Sequence, residues 1–359
     1  MKGDKSSRRT FLEKVVAKSV TLTALAGIGQ KAFSVGLDQA GMGASRITPL
    51  DNDEKKFVPV MITPYDKNLK VDFEALSKLI DFYLSAGVKG FFANCLSSEM
   101  YHLDEEERLA LARYVVKHVN GAVPVVATGS FGKSVEDRAE FAKKMYDTGV
   151  KGVILITSHF ANKGESDQVL IQNMEKFLEL TGTIPLGTYE CPSPYKRILT
   201  PETLRYLLGT NRLVYHKDTS LDTEKIKVKL EIIKGSNLEF YDAHTPNAIF
   251  SLQTGAKGLS CIAGNFYPEV FSWMCTNVNN PSRQEDVKWL QSELTRCDSI
   301  ISDGYPIGAK YFMQKRGLPI QPVGRTTQTQ LTTVQKQTLD KIYDVLPQWH
   351  ERLGIQAIH

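Results

Sequence analysis

Two side chains carry most of the chemical promise of this chain, a lysine and a tyrosine. Lys217 closes the apolar run Leu213-Val214-Tyr215-His216. A lysine held away from water at such a place has a lowered pKa and can act as a neutral amine toward a carbonyl, forming a Schiff base. Tyr189 follows another short apolar run, Ile184–Thr188, and its phenol could pass protons between such an imine and a substrate oxygen. Position alone fits a second reading equally well, in which Lys217 pairs with Asp218 or Asp242 in a rim ion network. Other reactive or hydrogen-bonding residues also follow apolar runs: Thr63, Ser97 with Ser98 and Glu99, Thr128, and His159. Glu190, Asp242, His244 and Cys261 do the same further on.

These residues share one kind of placement because the body of the chain alternates regularly. Short β-branched or aromatic runs occur at Phe57–Ile62, Gly90–Asn94, Val123–Ala127, Gly152–Ile156, Ile184–Thr188, Arg212–His216, Leu238–Tyr241 and Gly258–Cys261. Stretches with helical period separate them, such as 72–85, 104–119, 134–147 and 167–179. Start signals mark several of these, including Thr200-Pro201-Glu202 and the capping-box variant Ser134-x-x-Asp137. Eight strands each followed by a helix predict a (β/α)8 TIM barrel, over 56–280, with three further helices in 281–359. A doubly wound sheet is disfavoured, because Thr63-Pro64-Tyr65 stands where a Gly-rich dinucleotide loop would follow the first strand. In a barrel the reactive residues sit at the C-terminal ends of strands, which is the placement of the set above. Strand alternation turns His216 away from Lys217, toward the helices.

With that frame, the chain resembles the dihydrodipicolinate synthase / N-acetylneuraminate lyase family of pyruvate-dependent class I aldolases and lyases. The resemblance spans 57 to about 345 and rests on Val60-x-Ile62-Thr63-Pro64, Tyr189-x-x-Pro192 and Lys217-Asp218-x-Ser220. Gly258-Leu259-Ser260-Cys261-x-Ala263-x-Asn265 and Tyr305-Pro306-Ile307-x-Ala309-Lys310 support it. It implies that Lys217 forms an imine with a 2-oxo acid, typically pyruvate, that Tyr189 shuttles protons, and that Ser97 and Ser98 hold the carboxylate. It also implies a homo-oligomer, commonly a tetramer, and no cofactor or metal. Thr63, Glu190 and Cys261 complete the expected substrate-binding set. Three positions depart from the family's pattern. Leu96 stands where a relay hydroxyl is common, and Phe160 where the synthases present a tyrosine to a neighbouring subunit. Pro194 replaces the arginine that clamps the second substrate's carboxylate. These departures favour cleavage or formation of a sugar-derived 2-oxo acid over synthase activity proper. They also leave room for a non-catalytic periplasmic sugar-acid binding protein. His159, His244 and Asp242 would then meet sugar hydroxyls, bind a metal, or serve local packing.

Composition adds limits. Of 359 residues, 42% are apolar and 23% charged, the balance of a folded globular chain. The formal charge is only +4, too slight and unclustered for a nucleic-acid partner. Residues 1–32 hold Lys2, Lys5, Arg8, Arg9, Lys14, Lys18 and Lys31 against Asp4 and Glu13, so the basic excess lies in the leader. Arg8-Arg9-Thr10-Phe11-Leu12, a modest uncharged run and Ala24-Leu25-Ala26 resemble a twin-arginine export signal, followed by a polar tether over 33–55. The expected location is therefore periplasmic or otherwise exported. The uncharged run is too short to span a bilayer. Five cysteines without a C-x-x-C pair make neither a disulfide framework nor a zinc ribbon.

Overall fold

The computed structural model describes residues 54–326, 330–356 and 358. The expected export signal (1–32) and nearly all of the tether (33–55) lie outside the described residues.

Eight parallel strands make one sheet in the order β1-β8-β7-β6-β5-β4-β3-β2. They are β1 (Lys56–Phe57), β2 (Phe91–Ala93), β3 (Val125–Thr128) and β4 (Gly152–Ile156), then β5 (Leu186–Tyr189), β6 (Leu213–Asp218), β7 (Glu239–Asp242) and β8 (Gly258–Leu259). The first strand is shorter than the run Phe57–Ile62 predicts, because Pro59 has no N–H to give to a ladder. The chain still closes the sheet into a barrel just beyond it. Val60 bridges Phe92, Met61 N–H reaches Phe92 O at 3.1 Å, and Phe92 N–H reaches Pro59 O at 3.0 Å. On the opposite side of the seam, β8 approaches β1 so closely that a Cβ on Gly258 would lie 1.9 Å from Lys56 O. Glycine is required there by space alone. The fold is the (β/α)8 barrel that the alternation predicts.

Each strand is followed by a helix: α1 (Phe73–Ser85), α2 (Glu105–Val119), α3 (Val135–Tyr146), α4 (Asp167–Leu180), α5 (Pro201–Gly209), α6 (Thr223–Ile233), α7 (Ala248–Thr254) and α8 (Pro268–Asn277). Their starts are set locally. Asp104 and Ser134 form capping boxes with Glu107 and Asp137, and Thr200 accepts from Thr203 N–H with Pro201 in the first turn. Such caps are each worth about 1 kcal/mol. Beyond the barrel come α9 (Gln284–Ser302), α10 (Ile307–Lys315) and α11 (Thr333–Leu353). The last runs past its predicted end at Val345 and carries Pro347 within it. Trp349 of α11 packs edge-on against Tyr267, 5.4 Å between ring centres. Beneath it Glu269 of α8 binds both Arg316 (2.9 Å) and His350 (2.8 Å). Among the described residues no helix is long and apolar enough to cross a membrane.

Two apolar cores result. A large one lies between strands and helices, and a smaller one fills the barrel, including Val60, Phe92, Ile154, Tyr189, Tyr215 and Tyr241. The second core forms the floor and wall on which Lys217 stands.

Candidate active site

Lys217 and Tyr189 are direct register partners on β6 and β5, so alternation sends both side chains into the barrel. The Lys217 ammonium position lies 4.6 Å from the centre of the Tyr189 ring and 5.7 Å from that of Phe92. Lys217 is 4% exposed and Tyr189 3%. Burial lowers the Lys217 pKa, since taking an ammonium out of water favours the neutral amine. The thiols of Cys95, Cys191 and Cys261 are near enough to act on it electrostatically. Burial also raises the Tyr189 phenol well above its usual range, and its hydroxyl bonds with the Cys191 thiol. Burial pushes that thiol up to about 11, so it remains protonated at neutral pH. The lysine therefore faces phenol, phenyl and thiol groups, not carboxylates. Of the two sequence readings of Lys217, the rim ion network is not the one observed.

The loop after β2 is fixed to its surroundings by most of its polar groups. Ser98 Oγ donates to Met61 O at 2.6 Å and accepts from Cys95 N–H at 3.1 Å, so its hydroxyl is committed within the protein. Thr63 Oγ1 donates to Ser98 O at 2.9 Å. Ser97 hydrogen-bonds with Tyr305, whose hydroxyl accepts from Asn265 Nδ2 at 2.7 Å. Of the expected substrate-binding residues, Thr63 and Ser98 thus shape the loop, while Ser97 joins it to the C-terminal tail.

Two expectations are corrected. Glu190 does not line the chamber: it follows Tyr189 on the strand, so its side chain turns outward and is wholly buried behind the barrel wall. There it accepts from Leu199 N–H (2.9 Å) and Thr219 N–H (3.2 Å) and pairs with Lys229 of α6. Cys261 packs with the outer core, its thiol bonded with Thr245, and burial pushes it up to about 12. His159, His244 and Asp242 are not gathered at one point either. Asp242 accepts from Ser251 (2.5 Å) and His244 N–H (2.8 Å). His159 places Nδ1 2.6 Å from Ser130 O and Nε2 3.1 Å from the Tyr101 hydroxyl, which donates to Ser193 O at 2.8 Å. Burial drops His159 to about 4, so it is neutral. Among the described residues, the group with donors close enough for a metal is Glu190, His216 and Asp218. The Lys229 ammonium already bonds both carboxylates and supplies the cation.

Tyr101 and Lys229 escaped the sequence reading. Tyr101 lies two residues past Glu99 and becomes visible only when strands 2, 4 and 5 converge. Lys229 carried a signal: it sits on the apolar stripe Ile226, Leu230, Ile233 of α6, where a lysine needs a buried partner.

A barrel with a desolvated lysine on β6 beside a tyrosine on β5 defines a class I aldolase architecture. The dihydrodipicolinate synthetase family model matches residues 53–346, and the chain belongs to that family. It is a carbon–carbon lyase of the class that works through a lysine Schiff base. The 4-hydroxy-tetrahydrodipicolinate synthase of Bacillus subtilis is 30% identical over 266 residues, 73% of this chain and 89% of that one. The enzyme of the same name from Oceanobacillus iheyensis is 27% identical over 287 residues, 80% and 95% of the two chains. Similar solved structures include YagE from E. coli K12 in complex with pyruvate, with a TM-score of 0.73 and 20% identity over 84% of this chain and 99% of that one. The dihydrodipicolinate synthase of Acinetobacter baumannii complexed with pyruvate gives 0.72 and 22%, over 84% and 100%. At these identities the structural likeness is one of fold.

Proposed function

We propose that Lys217 is the Schiff-base residue and that its first substrate is a 2-oxo acid of the pyruvate type. The observation that carries this is the buried, carboxylate-free setting of the Lys217 amine in register with Tyr189. The neutral amine adds to the C2 carbonyl, and the carbinolamine loses water to give the imine. Loss of a C3 proton then yields an enamine, and addition of that carbon to an aldehyde forms the C–C bond. In reverse, the imine accepts the electron pair released as the C–C bond breaks. Tyr189 carries the protons these steps need, a reading supported by its register beside Lys217. Borohydride with pyruvate is expected to fix one reduced pyruvate unit (pyruvic acid less one water plus two hydrogens) on Lys217 and none on the Lys217→Ala variant. An equal adduct on the variant sinks the assignment.

For the second substrate we favour a sugar-derived acceptor over an aldehyde bearing a carboxylate. No guanidinium stands at Pro194, and the next cations are occupied elsewhere: Lys196 donates to Thr219 O (2.8 Å) and Arg197 binds Asp167 (2.7 Å). The names carried by the relatives support a second reading, 4-hydroxy-tetrahydrodipicolinate synthesis. Product formation from each aldehyde class with pyruvate separates the two. The leader supports export of the folded enzyme by the twin-arginine route. The family supports a homo-oligomer, although Phe160 is buried against Phe177 of its own chain at 5.2 Å.

A further inference from the structure

The two strands that carry Tyr189 and Lys217 are tied together on their reverse face. One step past each inward residue the chain turns outward, to Glu190 on one strand and Asp218 on the other. Both carboxylates are fully buried under α6, and Lys229 of that helix, 2% exposed, donates to Glu190 Oε1 and to Asp218 Oδ2, the latter at 2.6 Å. The clamp is continued by the backbone. Glu190 N–H donates to Lys217 O (3.3 Å), Thr219 N–H to Glu190 Oε2 (3.2 Å), and Thr219 Oγ1 to Glu190 O (2.5 Å). Asp218 Oδ1 accepts from both the N–H and the hydroxyl of Ser220 at 2.7 Å, holding the turn after Lys217.

Burial raises the Glu190 carboxyl to about 7, so it titrates near neutral pH and the cluster's net charge there lies between −1 and 0 in a site without solvent. His216 Nε2 lies 3.7 Å from Glu190 Oε1 and has no partner, and its Nδ1 is bonded with Thr188 at 2.8 Å. Lys225 of α6 and Asp242 of β7 act on the cluster from farther off. Apolar residues would fill this space at less cost if packing were the only requirement, because desolvating three charges offsets most of their mutual attraction. What an apolar filling cannot do is tie the end of one strand to the end of the next.

We infer that Lys229 is a positioning residue of the aldolase site, its bridge between Glu190 and Asp218 fixing the ends of β5 and β6 and so the placement of Tyr189 against Lys217. The inference rests on the proposed role of Lys217. A double variant, Glu190→Gln with Lys229→Met, tests it, because it removes the bridge without stranding two buried carboxylates. The double variant is expected to melt cooperatively and to trap pyruvate with borohydride at least tenfold more slowly at saturating pyruvate. The pyruvate concentration for half-maximal trapping should be little changed. Lys229→Arg, which keeps a bridging cation, is expected to recover most of the rate. Trapping at the wild-type rate in the double variant overturns the inference. If the double variant does not fold, Asp218→Asn with Lys229→Met takes its place, since it also removes the bridge, with the same expected slowing and the same refuting result. If the wild-type chain gives no adduct, the Schiff-base reading fails, and amide exchange decides the inference by itself. Peptides covering 186–191 and 213–219 must then exchange faster in the variant; unchanged exchange overturns it.

Discussion

Replacing Lys310 with methionine tests how the C-terminal helices serve the barrel. Lys310 of α10 is fully buried and its ammonium sits 2.5 Å from Glu99 Oε1, with Val323 O at 2.8 Å and the Tyr65 ring centre at 4.3 Å. Glu99 ends the loop that carries Ser97 and Ser98, and its φ of +58° is uncommon for a residue with a side chain. Its carboxylate is held by Lys310 and also accepts from Arg325 N–H (2.5 Å) and Thr326 N–H (3.2 Å). Lys310→Met fills the same space but leaves that carboxylate buried without its cation. Breaking a buried pair from one side costs ~3–5 kcal/mol. At roughly 2–4 °C per kcal/mol for domains of a few hundred residues, the melting temperature should fall by on the order of 10 °C. Glu99→Gln combined with Lys310→Met should melt above Lys310→Met alone, since the amide still accepts from the two N–H groups and no charge is stranded. The loop consequence is separate: half-maximal trapping should need about tenfold more pyruvate, equivalent to ~1.4 kcal/mol of lost binding. Differential scanning calorimetry and titrated borohydride trapping measure the two effects. A Lys310→Met protein within about 1 kcal/mol of wild type, or a double variant less stable than the single one, would refute the reasoning.

Tyr189→Phe keeps the ring packing against Phe92 and Lys217 and removes the proposed proton shuttle. Turnover should drop by roughly 10²–10⁴-fold in steady-state assays while pyruvate is still trapped. His216 has its pKa pushed down to about 3 by burial, so the unfolded chain binds its proton and the folded chain does not between about pH 3 and 6.5. That imidazole therefore makes stability rise with pH through this window. His216→Asn should reduce the gain in unfolding free energy from pH 5 to 7 by about 2 kcal/mol, read from urea melts at the two pH values; an unchanged gain would show that the ring is protonated in the folded protein. Fusing residues 1–45 to a reporter should send it out of the cytoplasm, and Arg8→Lys with Arg9→Lys should retain it there; export persisting in the double variant would point to another route.

The barrel was legible because its signal is periodic and repeated. β4 falls on the predicted run Gly152–Ile156, and most other strands lie within two residues of theirs. Lys217 and Tyr189 were legible because a polar residue ending an apolar run is conspicuous and the barrel gives that place a meaning. Glu190 misled for a reason the sequence contained. The alternation that turns His216 outward from Lys217 also turns Glu190 outward from Tyr189, since β5 and β6 are in register there. Treating residues after a strand as loop residues obscured this. Lys310 and Tyr305 were recognised as parts of a motif, but their contacts with Glu99 and Ser97 join positions about two hundred residues apart. No local pattern encodes such a contact; it exists only once the tail has docked.

The outward turn of Glu190 also explains how the amine can be reactive. A carboxylate within 4 Å of Lys217 at an effective dielectric of about 20 would hold it as an ammonium by roughly 4 kcal/mol, near three pKa units. That would oppose the lowering by burial and favour the unreactive ammonium. The strands avoid this by sorting charge by parity. Tyr189, Tyr215 and Lys217 face the barrel together with Phe92, Cys95 and Cys191, while Glu190, His216 and Asp218 lie behind the wall with Lys229. The same carboxylates that would silence the lysine from the front can brace its strand from the back. A single residue inserted between Tyr189 and Glu190, or between Lys217 and Asp218, would turn the following carboxylate to the other face. The fold could absorb such a bulge more readily than the chemistry could.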